Sequence, residues 1–278
     1  MGLYLRPTTV DEALAAIRGG ALTVLAGGTD FYPARLGRPL DEDILDITAI
    51  PALRGIEERD DHWRIGATTT WTDVIRAELP PLFTGLKLAA REVGGVQIQN
   101  TATVCGNLCN ASPAADGVPV LLSLDATVEI DAGDTLVPLG EFITGNRQTM
   151  RRPDQLVTGV LVPKPLGRAA GHFLKLGARK YLVISIVMAA GSLAVDDNGR
   201  ISTSRVAVGS CAPVACRLPA LEAALLGRPL RSQLGDLVEP AHLDHLAPID
   251  DIRASGAYRQ EAALVLVRRL LDELGGRL

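Results

Sequence analysis

The pattern of apolar and polar positions changes period along the chain, and each change marks an element. Val10, Ala13, Leu14 and Ile17 recur at helical spacing, Thr9 and Glu12 form a capping-box pattern ahead of them, and Gly19 and Gly20 stop the helix. The apolar run "ALTVLA" then reads as a buried strand ending at Gly27 and Gly28. "HWRIGA" predicts another strand, Thr70 caps a short helix through Ala77, and "PPLFTGLKLAAREV" predicts a helix up to Gly94 and Gly95. "ATVEI" and "QLVTGVLVP" read as strands, and "PKPLGRAAG" reads as a linker of Pro, Gly and basic residues.

Beyond that linker the pattern favours longer strands. "HFLKLG", "LVISIVMAAGSLAV" and "RISTSRVAVGS" are strand candidates, with "DDNG" as a hairpin signal between the last two. "LPALEAALLG" and "SGAYRQEAALVLVRRLLDELGG" close the chain as helices; Ser255 caps the second and Gly275 ends it. These elements predict an α+β chain with a boundary near residues 165 to 171.

Composition narrows the class. The 278 residues are 47% hydrophobic and 22% charged, enough for one large core or two ordinary ones. A net charge of -4 with scattered Lys and Arg argues against a nucleic-acid partner. The N-terminus does not read as a secretory signal, and the apolar run Leu182–Val195 is shorter than the ~18 residues of a membrane span. These features predict a cytoplasmic protein with no membrane span. Cys105, Cys109, Cys211 and Cys216 match neither zinc nor ferredoxin spacing, so no metal ligands are assigned and the thiols are read as reduced and isolated.

Two glycine-containing stretches carry the candidate chemistry. In "VLAGGTDFYPARLG" a strand runs into Gly27 and Gly28, where backbone N–H groups can be exposed with no side chain in the way, and Thr29 adds a hydroxyl. In "TVCGNLCNASPAAD", Gly106 and Asn107 are followed by Ser112 and Pro113, an N-cap and first-turn pair that predicts a helix N-terminus nearby. Two such turns could hold the two ends of a diphosphate. Neither stretch follows G-x-G-x-x-G or the P-loop spacing, so nicotinamide-Rossmann and nucleotide-hydrolase readings lose their main support.

"LAGGTDFYP" and "TATVCGNLCNASPAAD" together resemble the two FAD signatures of the FAD-binding (medium) subunit of molybdenum hydroxylases, the xanthine dehydrogenase and carbon monoxide dehydrogenase family. The resemblance continues in order through "RIGATTTWTDV", "FLKLGARKYLVISIV" and "ASGAYRQEAALVLVRRLL". It implies an FAD-binding domain of the PCMH type over residues 1–168 and a C-terminal α+β domain with a small antiparallel sheet over 169–278. By motif position it implies that Val24, Leu25, Ala26, Gly27, Gly28, Thr29, Asp30 and Phe31, with Thr103, Val104, Cys105, Gly106 and Asn107, wrap the FAD pyrophosphate mainly through backbone amides. Asp116 matches the family aspartate that contacts the cofactor beyond the pyrophosphate. Lys175 matches a family lysine near the flavin ring, where a cation stabilises charge on the reduced ring.

The departures from the family are specific. Cys105 stands where many relatives carry the first glycine of "TIGGN", so its side chain must point away from the phosphates or crowd them. Gln99 stands where relatives often have Arg, which leaves that loop less basic. Tyr181 begins "YLVIS" where some relatives carry other residues before an Asp-Ile pair, so ring contacts from that segment do not carry over.

The resemblance implies an electron relay: a large molybdopterin-binding subunit oxidises substrate, a small [2Fe-2S] subunit conducts, and FAD on this chain reduces an external acceptor, in a dimer of heterotrimers. No side chain here is then a catalytic nucleophile or base. A self-contained flavin oxidoreductase would need its own proton donor; His62 and His172, the histidines of the first two-thirds, sit beside aromatic residues in strand-like segments. A non-catalytic scaffold that has lost FAD is the other alternative, kept open by Cys105 and Gln99.

Overall fold

The computed structural model describes residues 2–37 and 39–278. β1 (Tyr4–Leu5), β2 (Thr23–Leu25) and β3 (Ile44–Asp46) form a parallel sheet in the order β1-β3-β2, with α1 (Val10–Gly19) between the first two strands in the chain. The predicted capping box is present: Thr9 Oγ1 accepts from the Glu12 amide at 3.3 Å and the Glu12 carboxylate accepts from the Thr9 amide at 3.2 Å. Ala13, Leu14 and Ile17 turn inward as their spacing requires.

β4 (Ile56–Glu58) and β5 (His62–Gly66) begin a second sheet. The chain then runs through α2 (Trp71–Arg76), α3 (Thr84–Glu92), α4 (Val96–Gln99), α5 (Val104–Asn110) and α6 (Gly117–Ser123). It returns as β6 (Thr127–Ile130) and β7 (Thr135–Pro138), passes α7 (Leu139–Phe142) and the hairpin of β8 (Ile143–Gly145) and β9 (Gln148–Thr149), and completes the sheet with β10 (Val157–Pro163). The order β4-β5-β10-β6-β7 is antiparallel throughout.

The third sheet is the antiparallel meander β11 (Arg168–Leu176), β12 (Val187–Val195), β13 (Ile201–Gly209) and β14 (Cys216–Arg217). α3 and α6 pack on one face; α8 (Pro219–Leu225) and α9 (Gly256–Gly275) pack on the other. Every residue of β12 is buried because alternate side chains serve two cores. Met188 and Ala190 join the core of the first half, whereas Val187, Ala189 and Leu193 join the core under α9. A strand covered on both faces reads as a continuous apolar run, and that accounts for the pattern in the sequence.

Three expectations need correction. "PKPLGRAAG" is not a linker along its length, since Arg168–Gly171 belong to β11 and pair with β12. "LVISIVMAAGSLAV" becomes strand only from Val187; Leu182 takes a positive φ of 52°, and Tyr181, Leu182 and Ile184 stand exposed. Ser112 and Pro113 do not start a helix. Ser112 Oγ accepts from the Ala114 amide at 3.3 Å within a turn, and the capped helix lies one segment earlier, behind Thr103.

Candidate functional site

The adjacent glycines of the first turn have different tasks. A Cβ on Gly27 would lie 2.1 Å from the Thr101 carbonyl oxygen, so the turn after β2 rests backbone to backbone on the segment that leads into α5. Gly28 has φ +70°, in the left-handed region, and its carbonyl accepts from the Tyr32 amide at 3.1 Å. The amides of Gly27, Gly28, Thr29, Asp30 and Phe31 have no acceptor among the described residues. They form the open nest of donors that the sequence suggested.

The second turn is the first turn of α5. Thr103 Oγ1 accepts from the Gly106 amide at 3.0 Å, and a Cβ on Gly106 would come within 2.7 Å of that hydroxyl. The segment is strapped to the start of α2: Trp71 N–H donates to Ala102 O at 3.1 Å and Val104 N–H to Thr69 O at 3.0 Å. Two loops nearly eighty residues apart are thereby joined at Gly27 and Thr101.

Between them lies a cavity of about 530 Å³, within the ~300–1,000 Å³ of ligand clefts. Val24, Leu25, Ala26, Gly27, Gly28, Thr29, Asp30 and Phe31 line it, as do Thr103, Cys105, Gly106 and Asn107. Val104 does not: it is fully buried in the core beneath. Cys105 is 2% exposed and burial pushes its thiol well up, so it presents a neutral wall rather than a nucleophile. Two lining residues carry buried polar atoms without a partner among the described residues, Trp71 Nε1 and Asn107 Oδ1. Both atoms lie buried behind the wall, packed toward Gly117 and out of reach of a ligand in the cavity.

Arg35 stacks over the Phe31 ring at 3.7 Å and pairs with Glu42, whose other contact is Thr23 Oγ1 at 2.6 Å. These two partners hold the Glu42 carboxyl down at about 2. Arg147 and Arg151 also line the cavity, and the sequence reading missed both. Their signal was the basic run "NRQTMRR", which only the β8–β9 hairpin brings to the site. Gln99 lies outside the lining, its Nε2 donating to the Arg91 carbonyl at 3.1 Å.

Asp116 and Lys175 come together, though not on the cavity lining. Lys175 Nζ donates to Asp116 Oδ2 at 2.9 Å and to Glu92 O at 3.3 Å, and Ser185 Oγ donates to Asp116 Oδ1 at 2.7 Å. Burial pushes the Asp116 carboxyl up, against the pull of Lys175 and Ser185. Val93, the residue after the Glu92 carbonyl that Lys175 holds, lines the cavity. His172 is buried with Nε2 2.6 Å from Glu273, and His62 sits beside Asp61 on β5; neither lines the cavity. No group of metal-ligating side chains is assembled among the described residues.

Residues 1–165 match the family model described as the FAD binding domain in molybdopterin dehydrogenase, and residues 172–274 match the CO dehydrogenase flavoprotein C-terminal domain. The chain belongs to this flavoprotein family. It is 30% identical over 287 residues to the xanthine dehydrogenase FAD-binding subunit of Escherichia coli O157:H7, covering 99% of this chain and 98% of that one. It is 29% identical to the nicotinate dehydrogenase FAD-subunit of Eubacterium barkeri, with 98% and 97% covered. Among solved structures it superimposes on a chain of carbon monoxide dehydrogenase from Hydrogenophaga pseudoflava, in a form lacking the Mo-pyranopterin moiety, with a TM-score of 0.85, 27% identity and 99% and 98% covered. FAD is the family's cofactor and oxidoreduction its chemistry. The open amides and the two glycines on the cavity lining fit a dinucleotide. No helix of the described residues is long and apolar enough to cross a membrane.

Proposed function

We propose that the chain is the FAD-carrying electron-transfer subunit of a molybdenum hydroxylase, receiving electrons from [2Fe-2S] clusters on a small subunit and passing them to an external acceptor. The observation that carries the reading is the pair of glycine turns locked together at Gly27 and Thr101 around one cavity. Bound FAD would supply the exchange between one-electron and two-electron transfer. The chain's own residues bind and orient: the amides of Gly27 to Phe31 and of Thr103 and Cys105 in the second turn, unpaired among the described residues, take the pyrophosphate, Gly106 and Asn107 shape that turn, and Val24, Leu25, Ala26 and Cys105 serve as walls with Val104 behind them.

Asp116 contacts the cofactor beyond the pyrophosphate and Lys175 stands toward the flavin ring, in this proposal. Their ion pair, next to Val93 on the cavity wall, supports that direction for the ring. The family matches support domains at 1–168 and 169–278. The large molybdopterin-binding and small [2Fe-2S] partners, dimerised as heterotrimers, rest on relatives that include the carbon monoxide dehydrogenase medium chain. Four free thiols agree with a cytoplasmic location.

The test is affinity purification of the tagged chain from its native cells, compared with the chain made alone. The complex is expected to contain molybdenum, iron and FAD, and the chain alone FAD without either metal. An organic donor that bleaches the flavin of the complex should leave that of the metal-free chain oxidised. Bleaching in the metal-free chain would instead establish a self-contained flavoenzyme.

A further inference from the structure

Arg147 and Arg151 are cations on the cavity wall without a carboxylate partner among the described residues, unlike Arg35, which Glu42 neutralises. Arg147 sits at the turn of the β8–β9 hairpin with φ +55°, fixed by its amide to Ala111 O at 2.8 Å. Its Nη1 donates to Asn110 Oδ1 at 2.6 Å at the far end of α5. Arg151 Nη1 donates to the carbonyls of Arg152 at 3.0 Å and Gln155 at 2.7 Å. Asn110 and Gln155 themselves line the cavity, so both guanidinium groups are anchored at its wall. Each commits only Nη1 to the protein; Nε and Nη2 have no acceptor among the described residues, and a guanidinium offers five N–H donors in a fixed fork. Asp30 is the lining's one carboxylate, and it is exposed.

We infer that Arg147 and Arg151 are binding residues for the diphosphate of the cofactor, on the wall of the same cavity that the Gly27–Phe31 amides line. A nest of neutral amides leaves two phosphate charges without a countercharge. Two guanidinium groups supply it by charge-assisted, forked hydrogen bonds. The assignment also accounts for the neutral Gln99: the cavity's basic character comes from the hairpin and the segment after it, not from the α4 loop. It rests on the reading that the cavity holds FAD.

The experiment measures binding of FAD and of riboflavin, which has no phosphates, to the flavin-free protein by quenching of flavin fluorescence. Native protein should prefer FAD. Arg147→Gln and Arg151→Gln should each weaken FAD binding by about tenfold or more, which corresponds to ~1.4 kcal/mol, the low end for a hydrogen bond to a charged group. Riboflavin binding should stay within about twofold, since a factor of two is only ~0.4 kcal/mol. Arg151→Lys should recover part of the loss, because it restores charge without the fork. Since Arg147 also pins the hairpin, Arg151, whose only side-chain hydrogen bonds among the described residues are to two local carbonyls, is the position where Arg151→Gln separates binding from folding. Native protein that does not prefer FAD to riboflavin would overturn the cavity reading and this assignment with it. A native preference that both glutamine variants retain in full would overturn the arginine assignment alone.

Discussion

Gly27 meets Thr101 with no room for a side chain: a Cβ there would lie 2.1 Å from the Thr101 carbonyl oxygen and 2.9 Å from Ala102 Cα. Backbone is on both sides of the contact, so no rotamer change relieves it. Gly27→Ala must push the turn after β2 away from the start of α5, at the ~1–3 kcal/mol typical of overpacking. The variant should emerge with FAD occupancy reduced at least tenfold while its circular dichroism stays native-like. Full occupancy would show that the two turns do not act as one site.

Gly28→Asp adds a charge to the same turn. The φ of +70° and the Tyr32 ring, 2.8 Å from a Cβ, already disfavour a side chain, and a carboxylate would stand beside the amides proposed to take a phosphate. Flavin-free protein is the expected product, read from its absorbance. Gly28→Ala separates the two effects: it carries the backbone strain without the charge, and should retain more flavin than the aspartate variant.

Cys105 is structural. Cys105→Gly should keep FAD, at a cost of about 1 kcal/mol in thermal stability from glycine inside α5. Cys105→Asp should lose the flavin, because it buries a carboxylate beside the diphosphate. Loss of FAD in Cys105→Gly would show that the sulfur makes a contact the cofactor needs.

The parts of the fold that rest on local chemistry were legible in the sequence. Thr9 with Glu12, Thr70 ahead of Trp71 and Ser255 ahead of α9 each declared a helix start that the structure contains. The two glycine stretches were legible for the same reason. Arg147 and Arg151 were not, since their place on the cavity wall depends on a hairpin folding back over α5, a long-range contact without a local signature. Residue type favours Ser112-Pro113 as a helix start, yet the cap is Thr103, because tertiary bonds from Val104 to Thr69 and from Trp71 to Ala102 hold that segment in place. Leu182–Ile186 read as strand because an apolar run does not reveal where its pairing stops.

Lys175 and Asp116 form an ion pair in which both side chains are under 10% exposed. Breaking such a pair strands a charge, and Lys175→Met should cost ~3–5 kcal/mol in chemical denaturation. Burial raises the Asp116 carboxyl, and loss of the ammonium raises it further. A carboxyl whose folded value lies above its unfolded one favours folding at low pH, and that contribution is lost as pH rises through the folded value. The Lys175→Met deficit should therefore be larger at pH 8 than at pH 5. The double variant Lys175→Met with Asp116→Leu should recover most of the loss; strictly additive effects would show that the pair is uncoupled.

Glu42 makes the first turn acid-sensitive. Its carboxyl is held at about 2, against an ordinary 4.5, first by Arg35 and then by Thr23, so the folded state favours the ionised form. For a carboxyl depressed in this way the stabilisation is complete above pH 4.5 and disappears as pH falls toward about 2. Arg35 and Thr23 both line the cavity, and Arg35 covers Phe31, so loss of the Glu42 charge frees the side chain that braces the turn. The native protein should accordingly exceed Glu42→Gln in stability at pH 7, the difference should shrink steadily below pH 4.5, and flavin release should follow the same window. Urea titrations of both proteins from pH 7 to pH 3 measure it. A stability difference that does not change with pH would mean that the glutamine is tolerated or resented for its shape, and that the Arg35–Glu42 charge pair contributes nothing to holding the turn.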